Sequence, residues 1–164
     1  MKTRTASRHT IIAAPADEVF EYMDQLDKTG MHMMKSSTMM MGSKLALVQV
    51  SGNSSGLNSS YRWHGSVMGW KIDFTVRVTK WIRDKEKVWE TISEAKMIIM
   101  SWYRMKLLVM RQNNASEVEL SIDYKLPRSG FYRVLGYIFA PIYSHWCLKN
   151  MLNDSKKQLE RGIR

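Results

Sequence analysis

The period of the apolar residues changes twice along this 164-residue chain, and those two changes restrict the fold more than any other feature. From about Lys44 to Leu126 the period is two. The clearest stretch sets Val118, Leu120, Ile122, Tyr124 and Leu126 against Glu117, Glu119, Ser121, Asp123 and Lys125, as in a strand with one buried and one wet face. In the same way Tyr103, Met105, Leu107 and Val109 oppose Arg104 and Lys106, and Ile72, Phe74, Val76 and Val78 oppose Asp73, Thr75, Arg77 and Thr79. Further strands fit residues 45–51, 60–68 and 86–94. Their separators, at 52–56, Gly69, 83–85 and 112–114, are short and rich in turn residues, which predicts an antiparallel meander of about six strands.

On both sides of this region the period is helical. Residues 1–12 alternate weakly and end on Ile11-Ile12, a first strand. Pro15 then suits the first position of a helix, where its missing N–H costs nothing, and Asp17 and Glu18 complement the positive helix end. Val19, Phe20, Met23 and Leu26 carry the apolar side of this helix to about Gly30, and a second short helix or loop covers Met31 to Met34. Beyond Pro127, Leu135, Phe139, Ile142 and Trp146 and then Leu148, Leu152, Leu159 and Ile163 predict one long C-terminal helix with these residues facing the core and Pro141 as a bend.

Length and composition fit one globular domain over residues 1–164, large enough to bury roughly 70% of its unfolded surface without a staple. The lone Cys147 cannot form an internal bridge and no apolar signal stretch follows Met1, so a cytoplasmic protein is expected. The net charge of +10 favours anionic partners. Residues 62–111 carry 11 basic and 5 acidic groups, yet the signs are interspersed, which argues for a solvated surface and against a nucleic-acid arm. The longest stretch without a charge, Val134 to Leu148, has 15 residues, short of the roughly 20 that a membrane span needs. Transient contact with an anionic membrane surface remains compatible with this composition.

The order strand, short helices, strands, long helix defines an α+β architecture. A twisted sheet of this width has an apolar face that one helix of roughly 10 Å diameter does not cover. Large residues on the predicted inner faces (Phe74, Tyr103, Tyr124, Phe139, Trp146) either interdigitate or line a pocket for an apolar ligand.

The segment Ile11-Ile12-Ala13-Ala14-Pro15-Ala16-Asp17-Glu18-Val19-Phe20 resembles the strand-to-helix entry of the START-like helix-grip superfamily (SRPBCC). Gly56 to Gly65, with Ser60-Tyr61-Arg62-Trp63-His64-Gly65, resembles the third-strand region of its polyketide cyclase/dehydrase and lipid transport branch, and Leu152 to Glu160 resembles its helix end. The resemblance implies a helix-grip fold: a curved antiparallel sheet of six to seven strands wrapped around a long C-terminal helix, with two short helices after the first strand. It also implies a sheet-to-helix cavity that accepts lipids, quinones or polyketide-like molecules, and it carries no universal catalytic residue. Expected ligand contacts are Met33, Met34, Tyr61, Trp63, Phe74, Tyr103, Met105, Tyr124, Phe139 and Trp146. No cofactor and no metal site is expected.

Six of the 14 methionines lie within residues 31–41, where they either fill an irregular core or form an adaptable lid over a ligand; with His32 they also offer soft donors to Cu(I). Gly52-Asn53-Ser54-Ser55-Gly56 matches the G-x-S-x-G of hydrolases, but a strand follows where a helix is required, so it reads as a hairpin loop. The histidines at 9, 32, 64 and 145 lack paired-ligand spacing for zinc. The leading expectation is a carrier or sensor of a hydrophobic small molecule. The first alternative is a cyclase-like enzyme in the same cavity, using His64, Tyr61, Tyr103 or Arg104, and the second is a basic surface module for anionic membrane or RNA. The ligand's identity and the oligomeric state are not encoded legibly.

Overall fold

The computed structural model describes residues 2–35, 45–52, 55–92, 95–128 and 130–162. Strand β1 (Arg4–Ile12) is followed by short helices α1 (Ala16–Asp24), α2 (Leu26–Thr29) and α3 (Met31–Met34). Strands β2 (Leu45–Ser51), β3 (Ser60–Val67), β4 (Trp70–Ile82), β5 (Glu86–Thr91), β6 (Trp102–Gln112) and β7 (Ala115–Lys125) then lead into helix α4 (Gly130–Arg161). The strands form one antiparallel sheet in the order β1-β7-β6-β5-β4-β3-β2, so the meander runs back until β7 meets β1. Register shifts at Gln49/Ser51 and Val78/Lys80 add local bend. This is the α+β helix-grip arrangement.

The period-two reading of the sheet holds residue by residue. Ile72, Phe74, Val76 and Val78, then Tyr103, Met105, Leu107 and Val109, then Val118, Leu120, Ile122 and Tyr124 are all buried on one face. Their neighbours on the other face form cross-strand ion pairs, Arg62 with Asp73 and Arg104 with Asp123. Positive-φ residues Met68, Asp84 and Asn113 make the tight connections. The helical segment after β1 differs from the expected pair of helices. Gln25 adopts an extended conformation (φ −82°, ψ 104°) and splits it, giving three short helices, and Pro15 occupies the N-cap position.

The two ends of the chain meet. Lys156 in α4 donates to the Ile11 carbonyl (2.5 Å), and Glu160 accepts from the Ala13 N–H (3.0 Å). The last turns of the helix are thereby fixed to the strand-to-helix junction, and buried Ser116 donates to the Ala14 carbonyl from the other side (2.8 Å).

Helix α4 continues through Pro141, and its buried stripe differs from the predicted one. In its first half the sheet-facing residues are Gly136, Ala140, Ser144 and Cys147, while Phe139 and Ile142 are exposed. Each of Gly136, Ala140 and Cys147 follows a predicted core residue by one position, a rotation of about 100°. The reason is steric. The helix is approached so closely that only small residues fit: a Cβ on Gly136 would stand 2.5 Å from the carbonyl oxygen of Ile99 in the β5–β6 connection. The second half follows the prediction more closely, with Leu148 and Leu152 buried beside Met151.

Candidate functional site

The inner face of the sheet is aromatic on β3, β4 and β6. Tyr61, Trp63, Phe74 and Tyr103 are buried there with Met105, and Tyr124 follows on β7. Phe74 and Tyr103 meet edge to face with centroids 5.7 Å apart. A chamber of ligand size would leave its lining accessible to a water-sized sphere, yet none of these six residues is more than 8% exposed. Side chains therefore occupy the space that a preformed cavity needs. Of the two outcomes open for these residues, interdigitation is the one these six show.

Polar groups are set into this interior. His32, from α3, is buried; its Nδ1 lies 3.2 Å from the Thr29 carbonyl oxygen and its Nε2 3.0 Å from Cys147 Sγ on α4. Trp146 packs edge to face on the imidazole at 5.1 Å. Burial lowers the His32 pKa to about 4, against the smaller opposing effects of the Thr29 carbonyl and Asp154. Burial also pushes the Cys147 thiol up to about 12, and raises the phenols of Tyr103 and Tyr143, each further raised by nearby Cys147. The pair is thus a neutral imidazole on a neutral thiol rather than an activated thiolate. Both ring nitrogens of His32 are engaged.

A recess of about 530 Å3 opens at one edge of this interior, between α1–α2 and β2–β3. Leu26, Leu47 and Tyr61 form apolar parts of its wall, while Glu21, Asp24 and Asp27 bring carboxylates. Leu47 stands opposite Trp63 in the β2–β3 register, and Trp63 closes against the backbone of Gly30, where a Cβ would lie 2.6 Å from the indole. Tyr61, on the same face of β3 as Trp63, is the buried aromatic side chain that lines the recess as well. Asp24 is held by a buried salt bridge: Lys87 Nζ reaches its Oδ1 (2.6 Å) and also donates to its carbonyl oxygen (2.5 Å), and Trp81 Nε1 donates to Oδ2 (3.0 Å). Burial lowers the Lys87 pKa, and the Asp24 carboxylate opposes that shift. Burial, and then the charge of Asp24, raise the phenol of Tyr61.

Of the ten expected contacts, six are buried together on the sheet, and Trp146, Met33 and Met34 are half-buried against the same core. Phe139 is not among them: it is exposed on the outer side of α4. His64 is likewise exposed, because strand alternation turns it away from Trp63, and it lines a shallow recess of about 320 Å3 on the outer face with Arg62 and Lys71. Arg104 is also on that face, paired with Asp123 (2.8 Å). Neither can act in the interior. Met39, Met40 and Met41 lie outside the described residues, as do Asn53 and Ser54 of the hydrolase-like motif.

Sequence reasoning passed over Asp24, Lys87 and the His32–Cys147 contact. Lys87 did carry a signal, since it alternates in phase with Trp89 and Thr91 and so belongs to the inner face. The histidine–cysteine contact carried none, because 115 positions separate its members.

No family model matches the chain, and no curated protein matches it. Solved structures do. The Zhui aromatase/cyclase of Streptomyces sp. R1128 superposes with a TM-score of 0.76 at 14% identity, over 99% of this chain and 97% of its own. A protein of Thermus thermophilus gives 0.71 at 14% identity, over 98% and 100%. Norcoclaurine synthase of Thalictrum, solved as a point mutant with a transition-state analogue, gives 0.68 at 12%, over 99% and 98%. At these identities the likeness is one of fold, and the chain has the START-like helix-grip fold that its opening and closing segments resemble.

Proposed function

We propose that this protein binds a hydrophobic small molecule between the sheet and α4, as a carrier or sensor, with the recess beside Tyr61 as its mouth. The observation that supports this most is that Tyr61 belongs both to that recess and to the buried face that carries Trp63, Phe74, Tyr103, Met105 and Tyr124. Entry requires side chains to swing aside. Burying about 250 Å2 of apolar ligand surface contributes about 6 kcal/mol, whereas moving a side chain well off its preferred rotamer costs about 1 kcal/mol. The exchange is favourable when two or three aromatic side chains move and stay buried in their new positions, since each one expelled to water gives back about 2–3 kcal/mol. Met33 and Met34, unbranched and half-buried near this edge, adapt to ligands of different outline.

A cyclase-like activity in the same place is the second reading, favoured by the phenols of Tyr61 and Tyr103 within an otherwise apolar lining. It no longer has His64 or Arg104 to draw on, and His32, with its pKa lowered to about 4, is a weak base. The carrier reading therefore stands first. Native mass spectrometry of the purified protein, followed by solvent extraction, tests it. A stoichiometric apolar adduct that Trp63→Arg removes is the expected result. A ligand-free protein that also takes up no added fatty acid, quinone or aromatic polyketide overturns it.

A further inference from the structure

The first half of α4 turns an apolar side outward as well as inward. Phe131, Val134, Tyr137, Ile138, Phe139 and Ile142 are between 44% and 63% exposed, and they share one broad face of the helix. From Gly130 to Asn153 the helix carries no acidic residue, and its only charges are Arg133 and Lys149. The surroundings of its N-terminal end are also basic. Arg4 lies over the Tyr137 ring at 4.6 Å, Arg133 reaches back to the Arg128 carbonyl at 3.2 Å, and Lys125 lies over Trp102 at 4.8 Å. The Asp123 carboxylate on β7 already accepts from Thr5 and Arg104.

We propose that this face of α4 docks on the surface of an anionic lipid bilayer. Phenyl and aliphatic groups enter the acyl boundary, tyrosines sit at headgroup depth, and Arg4, Arg128 and Arg133 reach lipid phosphates at the rim. The charge pattern selects this partner. A second copy brings the same basic charge and no acidic group from residues 130–153, so pairing this face with itself gains no charge complementarity. A bilayer carrying phosphatidylglycerol or phosphatidylserine offers apolar depth and negative charge together. The helix lies in the interface rather than across it, because no helix among the described residues is long and apolar enough to span. The docking needs no internal cavity, so it stands whether or not the ligand reading does.

Vesicle flotation tests it, with phosphatidylcholine vesicles and the same vesicles containing phosphatidylglycerol. The full chain is expected to float with the anionic vesicles only, and to be released as salt rises from about 0.1 to about 1 M and the screening length shrinks from about 10 to about 3 Å. Phe131→Ser combined with Ile138→Ser, both on exposed positions and checked for unchanged thermal unfolding, is expected to lower binding by about tenfold or more. Arg133→Glu is expected to weaken it further on anionic vesicles. Binding that survives the Phe131→Ser/Ile138→Ser pair overturns the proposal in favour of the charged outer face of the sheet. Absence of flotation overturns it too, as does a concentration-dependent dimer that the same pair abolishes without any vesicle binding.

Discussion

His32 is neutral in the folded protein at any pH above about 4, whereas in the unfolded chain it takes a proton near 6.5. Between those values the unfolded state binds a proton that the folded state does not, so stability is full above pH 6.5 and falls as the pH drops towards about 4. The loss over that window is about 3 kcal/mol. Urea unfolding across the window is expected to show this loss in the wild type, and a correspondingly shallower loss in His32→Gln. Equal slopes for the two proteins would remove the imidazole from the account. Lys87 and Asp24 give a second test of the same kind. With side chains 0% and 6% exposed, they have no water to fall back on. Lys87→Met leaves a buried carboxylate without its cation and is expected to cost about 3–5 kcal/mol, whereas Lys87→Met with Asp24→Asn recovers much of that loss. A double-mutant cycle in denaturant measures the coupling.

At the scale of elements, α4 shows why one part of the fold was legible and another was not. Each inner strand states its own orientation, since residues such as Val118, Leu120 and Ile122 alternate with Glu117, Glu119 and Ser121, and a slip of one residue would bury the acids. The helix has apolar residues on two sides. Phe139 and Ile142 outweigh Gly136, Ala140 and Ser144 in any reading of hydrophobic spacing, although the small residues are the ones that are buried. What decides the matter is the distance of approach, which belongs to the sheet as much as to the helix. Gly136→Ala measures that distance. Alanine favours the helix by about 1 kcal/mol, but a methyl group 2.5 Å from the Ile99 carbonyl oxygen forces the helix outward, and overpacking of this kind costs about 1–3 kcal/mol. A lower melting temperature is expected from thermal unfolding. An unchanged or raised one would mean that α4 rests less tightly on the 97–100 segment than its geometry indicates.

At the scale of the whole molecule, the helix-grip arrangement joins three regions with different chemistry. The interior is aromatic, holds the neutral His32–Cys147 pair and the buried Lys87–Asp24 ion pair, and meets the recess at Tyr61. The mouth beside it is ringed by Glu21, Asp24 and Asp27, although the chain carries a net charge of +10. The outer face of α4 is apolar with a basic rim. The sequence made the first region visible as strand periodicity, but it did not reveal that these side chains fill their own space, because filling depends on rotamers and helix placement rather than on residue type. Of the mouth it showed only Tyr61, since Leu26 comes from α2 and Leu47 from β2 and packing rather than periodicity brings them beside β3.

The proposal that a hydrophobic molecule enters through this mouth is tested most directly by titrating the wild type and Leu47→Trp with a solvatochromic apolar dye. Leu47 is half-buried at the rim, so an indole there obstructs the recess without disturbing the core. The account predicts saturable binding at one site with a blue-shifted emission in the wild type, and loss of that site in Leu47→Trp while the Phe131→Ser/Ile138→Ser variant keeps it. Binding that ignores Leu47→Trp and disappears with the α4 substitutions would place the dye on the outside of the helix and contradict the account.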